Sequence, residues 1–420
     1  MIPIKVAILS FLFNWPSTGG GNVHTYELAL FLGKAGYDVR HFYAAFPPWG
    51  IGGVQKSLPY ANEAIAFDES AWSASAIQAR FRQAVDAFAP DYVIVTDSWN
   101  FKPLLAEAVS HYPYILRFQA SECLCPLNNV RLLAQAGGGV RQCHLHQLAT
   151  PDACYDCLRQ RGRWSGSLHQ AERALSGVGA GDYYDRLVRV VAAAEACLVV
   201  NPHTETLLAP YAKKVCVVTA GMDPARFPQN GTVPLLPRDC PVLRLLFAGL
   251  VAEPIKGFDV LHEACARLWQ RRQDFELVAT SDPPGQLDAF TRLIGWQSQQ
   301  DLPAHLAACD ILVMPTIAQE ALGRTAVEAM AAARPVVASR LGGLPFTVRD
   351  GETGLLCEPG NPDDLAAKLE RLLDDPALRR RLGTAGHRRF EEHYAWPVII
   401  DRHYRPLLAQ KKVSGTLPRT

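Results

Sequence analysis

Two glutamates bound the segment Glu320-Ala-Leu-Gly-Arg-Thr-Ala-Val-Glu328, and Lys256 closes a second one, Gly249-Leu-Val-Ala-Glu-Pro-Ile-Lys256-Gly257. Carboxylates eight residues apart do not lie on one helical turn. If Glu320 stands in a loop and the chain is helical from Thr325, the pair can grip different parts of one ligand. Gly323 lets the backbone approach that ligand closely, and a helix N-terminus offers N–H donors to an anion. For two isolated glutamates, a solvated pair flanking an ordinary helix is the plainer reading. Here a strand ending Val313-Met314-Pro315 precedes them and a buried strand, Pro335–Ser339, follows. A strand–loop–helix–strand setting favours the ligand-holding reading.

A second chemistry is suggested by sulfur. Cys123, Cys125, Cys143, Cys154 and Cys157 fall within one stretch, with His144 and His146 among them. The two-residue gap of Cys154-Tyr-Asp-Cys157 suits a tetrahedral metal, and Cys125 and Cys143 complete a four-cysteine set. His144 or His146 could replace a cysteine, and Cys123 could be a spare. The readings are a structural zinc, an iron–sulfur cluster or plain thiols. The other cysteines are scattered among apolar runs and read as buried hydrophobes.

The elements that would position these groups alternate. Lys5–Phe13 reads as a strand and Ser17–Asn22 as a glycine turn. Val23–Ala35 reads as a helix ended by Gly36, and Asp38–Tyr43 as the next strand. Strands follow at Tyr92–Thr96, Tyr114–Phe118, Cys197–Asn201 and Val215–Thr219, with helices such as Ala76–Phe88 and Leu104–Ser110 between some of them. The rhythm restarts at Leu243–Gly249 and continues through a helix at Phe258–Arg271, a strand at Phe275–Thr280 and helices at Gln300–Ala308 and Thr325–Ala333. Asp363–Leu373 is a last capped helix. This predicts an α/β protein of two doubly wound parallel-sheet domains. The expected divisions are 1–225, with a cysteine-rich insertion over about 121–182, then 240–393, then a C-terminal helix region over 394–420. Three prolines within Asn230–Pro241 mark the linker.

Composition narrows the function classes. The chain has 420 residues, 49% hydrophobic and 20% charged, with 42 Lys+Arg against 41 Asp+Glu. A net charge of +1 offers no field for a polyanion, which argues against nucleic-acid binding. No run reaches the roughly 18 apolar residues of a membrane span. Val6–Phe13 reads as a buried strand and not a signal-peptide core, because only Lys5 precedes it and no small-x-small cleavage site follows. A cytoplasmic protein is expected. The Arg379-Arg380-Arg381 run is a solvated helix face that could add weak contact with an anionic membrane surface.

The Glu320–Glu328 segment resembles the E-x7-E signature of retaining GT-B glycosyltransferases, specifically glycosyltransferase family 4. Gly249–Gly257 is similar to that family's G-R-x-x-x-x-x-K-G segment, and Gly19-Gly20-Gly21-Asn22-Val23-His24 to its N-terminal glycine loop. Asp350–Leu355 and Pro359–Pro362 resemble its C-domain tail. The resemblance implies two Rossmann-like domains facing an interdomain cleft. It implies that Glu328 holds the ribose hydroxyls of a nucleotide-sugar donor and that Glu320 contacts the transferred sugar. Lys256 and the backbone at Leu322, Gly323 and Arg324 would meet the diphosphate. Gly19 and Gly20 would close over the same phosphates, Ile294 would flank the base, and His24 would lie near the cleft. No catalytic metal is implied. The expected donor is a UDP- or GDP-sugar, and the acceptor is a glycan, a lipid-linked sugar or a small natural product. Leu250 stands where the family carries an arginine, a cation that Arg324 could supply. Two other readings are a GT-B-fold nucleotide-sugar epimerase, which would not want the E-x7-E loop, and a non-catalytic sugar-nucleotide-binding subunit. A nicotinamide oxidoreductase is disfavoured because no G-x-G-x-x-G follows the first strand.

Overall fold

The computed structural model describes residues 2–17, 19–96, 98–122, 124–127, 131–134, 140–162, 166–227 and 242–409. The chain forms two compact units. The first comprises Met1–Arg131, Cys143–Gly221 and Trp396–Thr420, and the second comprises Leu132–Gln142 and Met222–Ala395.

In the first unit β1 (Lys5–Ser10) leads into α1 (Gly20–Lys34), β2 (Asp38–Ala45) and β3 (Ala61–Ala66). α2 (Ala74–Phe88), β4 (Tyr92–Val95), α3 (Lys102–Ala108) and β5 (Tyr114–Arg117) follow. A hairpin of β6 (Leu132–Ala134) and β7 (Val140–Gln142) belongs to the second unit. The chain then forms α4 (Pro151–Arg161), α5 (Ser167–Ser176), α6 (Tyr183–Ala193), β8 (Ala196–Val199), α7 (Pro202–Leu208) and β9 (Val215–Val217). The sheet is parallel throughout, in the order β3-β2-β1-β4-β5-β8-β9. Its central strands are covered on both faces, which is why they read as unbroken apolar runs. In β1, Ala7 and Leu9 face one core with Phe42, Val93 and Leu116. Val6 and Ile8 face the other with Leu28, Leu32 and Trp396.

β3 escapes sequence reading because it is an edge strand in which only Ile65 is buried. The cysteine-rich stretch is not a loose loop either. Leu124, Leu148, Leu158 and Val178 from it join the first core, so the stretch, with its helix α4, is held by ordinary apolar burial.

The second unit runs β10 (Leu243–Phe247), α8 (Phe258–Trp269), β11 (Phe275–Ala279), β12 (Gly285–Gln286), β13 (Thr291–Leu293) and α9 (Leu302–Ala308). It continues with β14 (Ile311–Met314), α10 (Arg324–Ala331), β15 (Val336–Ser339), α11 (Leu344–Thr347), β16 (Gly354–Cys357), α12 (Pro362–Asp374) and α13 (Pro376–His393). The sheet order is β12-β13-β11-β10-β14-β15-β16, parallel except for the antiparallel edge pair β12–β13. That short hairpin, invisible to periodicity, stands where the alternation leads one to expect a helix. Met222–Ala225 also belong here and not to the first unit, where the sequence boundary at 225 had them. Met222 N donates to Tyr394 O at 2.9 Å, tying the entering chain to the end of α13.

Two short helices, α14 (Trp396–Ile399) and α15 (Arg405–Leu408), then rejoin the first unit. Trp396 is fully buried there, and its indole N–H donates to Glu27 Oε2 at 3.0 Å.

Candidate functional site in the second unit

Ligands of open parallel sheets bind beyond the carboxyl ends of the strands. Three loops meet there in the second unit, and glycine decides how closely. The loop after β10 ends in the turn Pro254–Lys256 and Gly257, which adopts φ 76° and opens α8. A Cβ on Gly257 would lie 2.0 Å from Pro315 O, so only glycine lets this loop lie against the one after β14. Thr316 Oγ1 and Ile317 N both donate to Ile255 O, at 2.9 and 3.0 Å, locking the two loops together. Behind them, Gly343 N donates to Glu320 O at 2.6 Å, and the Thr347 hydroxyl to Leu322 O at 2.6 Å.

This frame brings predicted residues together. Lys256 Nζ lies 2.8 Å from Glu320 Oε1, with the lysine side chain 36% and the glutamate 20% exposed. Burial pulls the Lys256 ammonium toward the neutral form, but the adjacent Glu320 carboxylate outweighs it and raises the pKa above the usual lysine value. Lys256 is therefore a cation throughout the neutral range. The pair's contribution to stability is present there and is lost only as pH climbs past the raised value.

Gly323, at φ 77°, precedes α10, whose first turn begins at Arg324. Glu328 lies one turn into that helix and is 2% exposed. Arg324 Nε is 3.6 Å from Glu328 Oε1, and Arg226 Nη2 is 3.5 Å from the same oxygen. Arg226 Nη2 also donates to Gln299 O at 2.6 Å. Leu322, in the loop before this helix, is buried. The result is a pair of carboxylates, each met by a cation, beside the N-terminus of an eight-residue helix. Such a set can hold an anion and hydroxyl groups together.

Sequence reasoning missed Arg226 and Gln299, and it missed the role of Gly342-Gly343. A Gly-Gly pair closely following a predicted strand was the available signal for the last. Nothing marks Arg226 in advance, because its partner Glu328 is about a hundred residues away.

The other predicted residues are placed as follows. Ile294 N donates to Ala279 O at 3.0 Å, and its side chain lines a cavity of about 300 Å³ with Arg244, Leu246, Arg292 and His305. Gly19 precedes α1 at φ −80°, and Gly20 is its first residue. A Cβ on Gly19 would meet only Ser17 Oγ, at 3.6 Å, so packing does not demand glycine there. His24 is 1% exposed, its ring 5.1 Å from that of Trp396.

Cys125, Cys143, Cys154 and Cys157 carry thiols. Cys154 is buried, and its pKa is pushed up to about 11, chiefly by that burial, with added repulsion from Cys125, Cys143 and Cys157. The four sulfurs therefore share one neighbourhood. Among the described residues, however, no three His, Cys, Asp or Glu side chains are arranged to hold a metal ion. His144 is exposed, burial lowers the pKa of His146, and Cys123 lies outside the described residues.

Comparison with known proteins bears on the same segment. Residues 243–375 match the family model described as "Glycosyl transferases group 1". The match spans about a third of the chain. Among curated relatives, MMP alpha-(1->4)-mannosyltransferase of Mycolicibacterium hassiacum is 35% identical over 195 residues, covering 44% of this chain and 45% of its own. D-inositol 3-phosphate glycosyltransferase of Streptomyces bingchenggensis is 34% identical over 208 residues, covering 43% and 45%. The chain thus matches about half the length of these relatives. Among solved structures, sucrose-phosphate synthase from Thermosynechococcus elongatus superposes with a TM-score of 0.66 at 20% identity, covering 97% of this chain and 99% of that one. HepE of Anabaena, solved in complex with UDP, gives 0.67 at 15% identity, covering 97% and 100%. The two parallel-sheet units have the GT-B fold of these structures. Among the described residues no helix is long and apolar enough to cross a membrane.

The loop frame makes a direct prediction. A Cβ on Gly343 would lie 1.9 Å from Ala321 O. Gly343→Ala should therefore cost about 1–3 kcal/mol in urea denaturation. Gly33→Ala, inside α1 with nothing within 4 Å of its Cβ, should be neutral or raise stability.

Proposed function

We propose that the chain is a glycosyltransferase that moves a sugar from a nucleoside-diphosphate sugar to an acceptor hydroxyl. The observation that carries this reading is the Lys256–Glu320 pair, held 2.8 Å apart at the helix-opening Gly323 loop within the family-matched segment. The relatives named as glycosyltransferases and the UDP complex of a fold neighbour support it. The donor proposed is a UDP- or GDP-sugar, and the family is glycosyltransferase family 4. The acceptor is a glycan, a lipid-linked sugar or a small natural product, and the work is done in the cytoplasm.

The chemistry follows from the groups present. As the bond from the anomeric carbon to the phosphate oxygen breaks, its electron pair leaves with the diphosphate. Lys256 and the N–H groups opening α10 stabilise that charge, a role worth about 2.7–4 kcal/mol for one such donor. Glu320 gives up the lysine to the diphosphate and meets the sugar, while Glu328 takes the ribose hydroxyls. The acceptor oxygen bonds to the anomeric carbon on the face the leaving group vacates, and its proton passes to the departing phosphate oxygen. The configuration is retained, and the cationic work is assigned to Lys256 without a catalytic metal. The Glu320–Glu328 loop favours this reading over the epimerase alternative, which would not want it, and the relatives named as glycosyltransferases favour it over the non-catalytic one.

Donor hydrolysis and transfer should fall about a hundredfold or more in both Lys256→Ala and Glu320→Gln, with unfolding midpoints near that of the parent chain. Near-normal turnover in both would contradict the mechanism, and no thermal stabilisation by UDP, GDP, ADP or TDP sugars would remove the donor site.

The cysteine neighbourhood is proposed to hold a structural zinc or, in second place, an iron–sulfur cluster on Cys125, Cys143, Cys154 and Cys157. Support comes from the two-residue gap of Cys154 and Cys157 and from the charge interactions that link Cys154 with Cys125, Cys143 and Cys157. Elemental analysis of purified protein should give about one equivalent of metal, reduced by Cys154→Ser. Less than about 0.2 equivalents would remove the site.

A further inference from the structure

Lys102 and Glu122 of the first unit are 1% and 6% exposed and form an ion pair at 3.3 Å. Desolvation largely cancels the attraction in a pair this deep, and two apolar side chains in its place cost a fold little. Its construction points to a ligand. The three N–H donors of the Lys102 ammonium face three oxygens: Arg117 O at 2.8 Å, Ser98 Oγ at 3.4 Å and Glu122 Oε2. The lysine thus keeps no donor for a ligand, and its charge is spent on Glu122. Gln119 N donates to the same Glu122 oxygen, Oε2, at 3.3 Å. Among the described residues Glu122 Oε1 has no hydrogen-bond partner, yet it is not sealed from solvent. The Gln119 side-chain N–H donates to Thr96 Oγ1 at 3.2 Å, which leaves the amide carbonyl oxygen as a second acceptor.

The place is the ligand-binding end of a parallel sheet. Thr96 and Ser98 follow β4, and Gln119 and Glu122 follow β5. In the order β3-β2-β1-β4-β5-β8-β9 the strand sequence reverses between β1 and β4, and Thr96 N donates to Leu9 O of β1 at 2.9 Å. Open parallel sheets take their ligands beside such a switch point, beyond the carboxyl ends of the strands. Charge then decides the kind of ligand. Lys102 cancels Glu122, so a cation gains nothing here, and the open carboxylate oxygen repels an anion. Two acceptors without net charge suit a neutral donor of hydroxyl protons.

We propose that Glu122 Oε1 and Gln119 Oε1 form a hydroxyl-binding site in the first unit, that Lys102 is the positioning residue which orients the Glu122 carboxylate, and that the ligand is an uncharged sugar. Within the transferase reading above, on which this role rests, that sugar belongs to the acceptor. The sugar ring bound here carries neither an amine nor a phosphate.

Calorimetric titration of the full chain without nucleotide tests this, using the methyl glycosides of glucose, mannose, galactose and N-acetylglucosamine beside glucosamine and glucose 6-phosphate. At least one neutral glycoside should bind with a Kd on the order of 1–10 mM, and the two charged sugars about fivefold or more weakly. Glu122→Gln should weaken that glycoside about tenfold to a hundredfold, the range for a hydrogen bond to a charged group. Because Glu122→Gln leaves the Lys102 charge buried without its partner, the double variant Lys102→Met with Glu122→Leu is the cleaner one. Its thermal unfolding midpoint should stay at or above that of the parent chain while glycoside binding disappears. A midpoint well below the parent's would make the pair structural and overturn the proposal. Parent-like glycoside binding in the double variant, or no neutral glycoside bound by the parent, would overturn the site. Tighter binding of glucosamine or glucose 6-phosphate would overturn the ligand class. UDP and GDP are titrated alongside: a parent chain that binds a glycoside but neither nucleotide would overturn the donor-site reading and uphold this site.

Discussion

The site depends on how closely three backbone loops approach one another at the carboxyl ends of β10, β14 and β15. A Cβ would lie 2.0 Å from Pro315 O at Gly257, 2.4 Å from Glu320 O at Gly342 and 1.9 Å from Ala321 O at Gly343. Two of these glycines also hold positive φ, where other residues are strained. With the loops seated this tightly, Lys256 and Glu320 are placed by main chain, and little side-chain freedom has to be frozen when a ligand arrives. That is the ordinary route by which binding energy goes into affinity and not into ordering.

The charges are arranged on the same principle. The near-zero net charge of the chain leaves no long-range field, so attraction for an anion has to come from local cations. Lys256 is kept protonated by Glu320, and Arg226 and Arg324 lie against Glu328. Each carboxylate offsets the cost of holding a cation in a half-buried site, and each cation does the same for its carboxylate. In the proposed mechanism a diphosphate replaces Glu320 as the partner of Lys256, and the sugar hydroxyls take up the freed carboxylate, so that neither charge is left alone. The leucine at position 250, where the resembled family has arginine, is thus met by a site already supplied with guanidinium groups.

Much of this was legible in the sequence, for a physical reason. Central parallel strands are apolar on both faces, and glycine-punctuated loops between them are visible, so the Glu320–Glu328 segment could be placed on a loop and a helix before any coordinates. The strand β3 was not legible, because five of its six residues are solvent-facing or partly so, and the β12–β13 hairpin is too short to show a period. Arg226 was not legible because its meaning lies in a contact with Glu328 that only the fold creates. The cysteine cluster sits between these cases. Spacing brought out the four sulfurs and Cys154 feels the charge of the other three, but among the described residues no three such side chains are arranged to hold a metal ion.

The most direct test of the central claim is a crystal structure of the full chain with a bound nucleoside diphosphate. The account predicts Lys256 Nζ moved from Glu320 to a phosphate oxygen, Glu328 on the ribose hydroxyls, and the loops at Gly257 and Gly342-Gly343 unmoved. A diphosphate bound elsewhere, with the Lys256–Glu320 pair still closed, would contradict it.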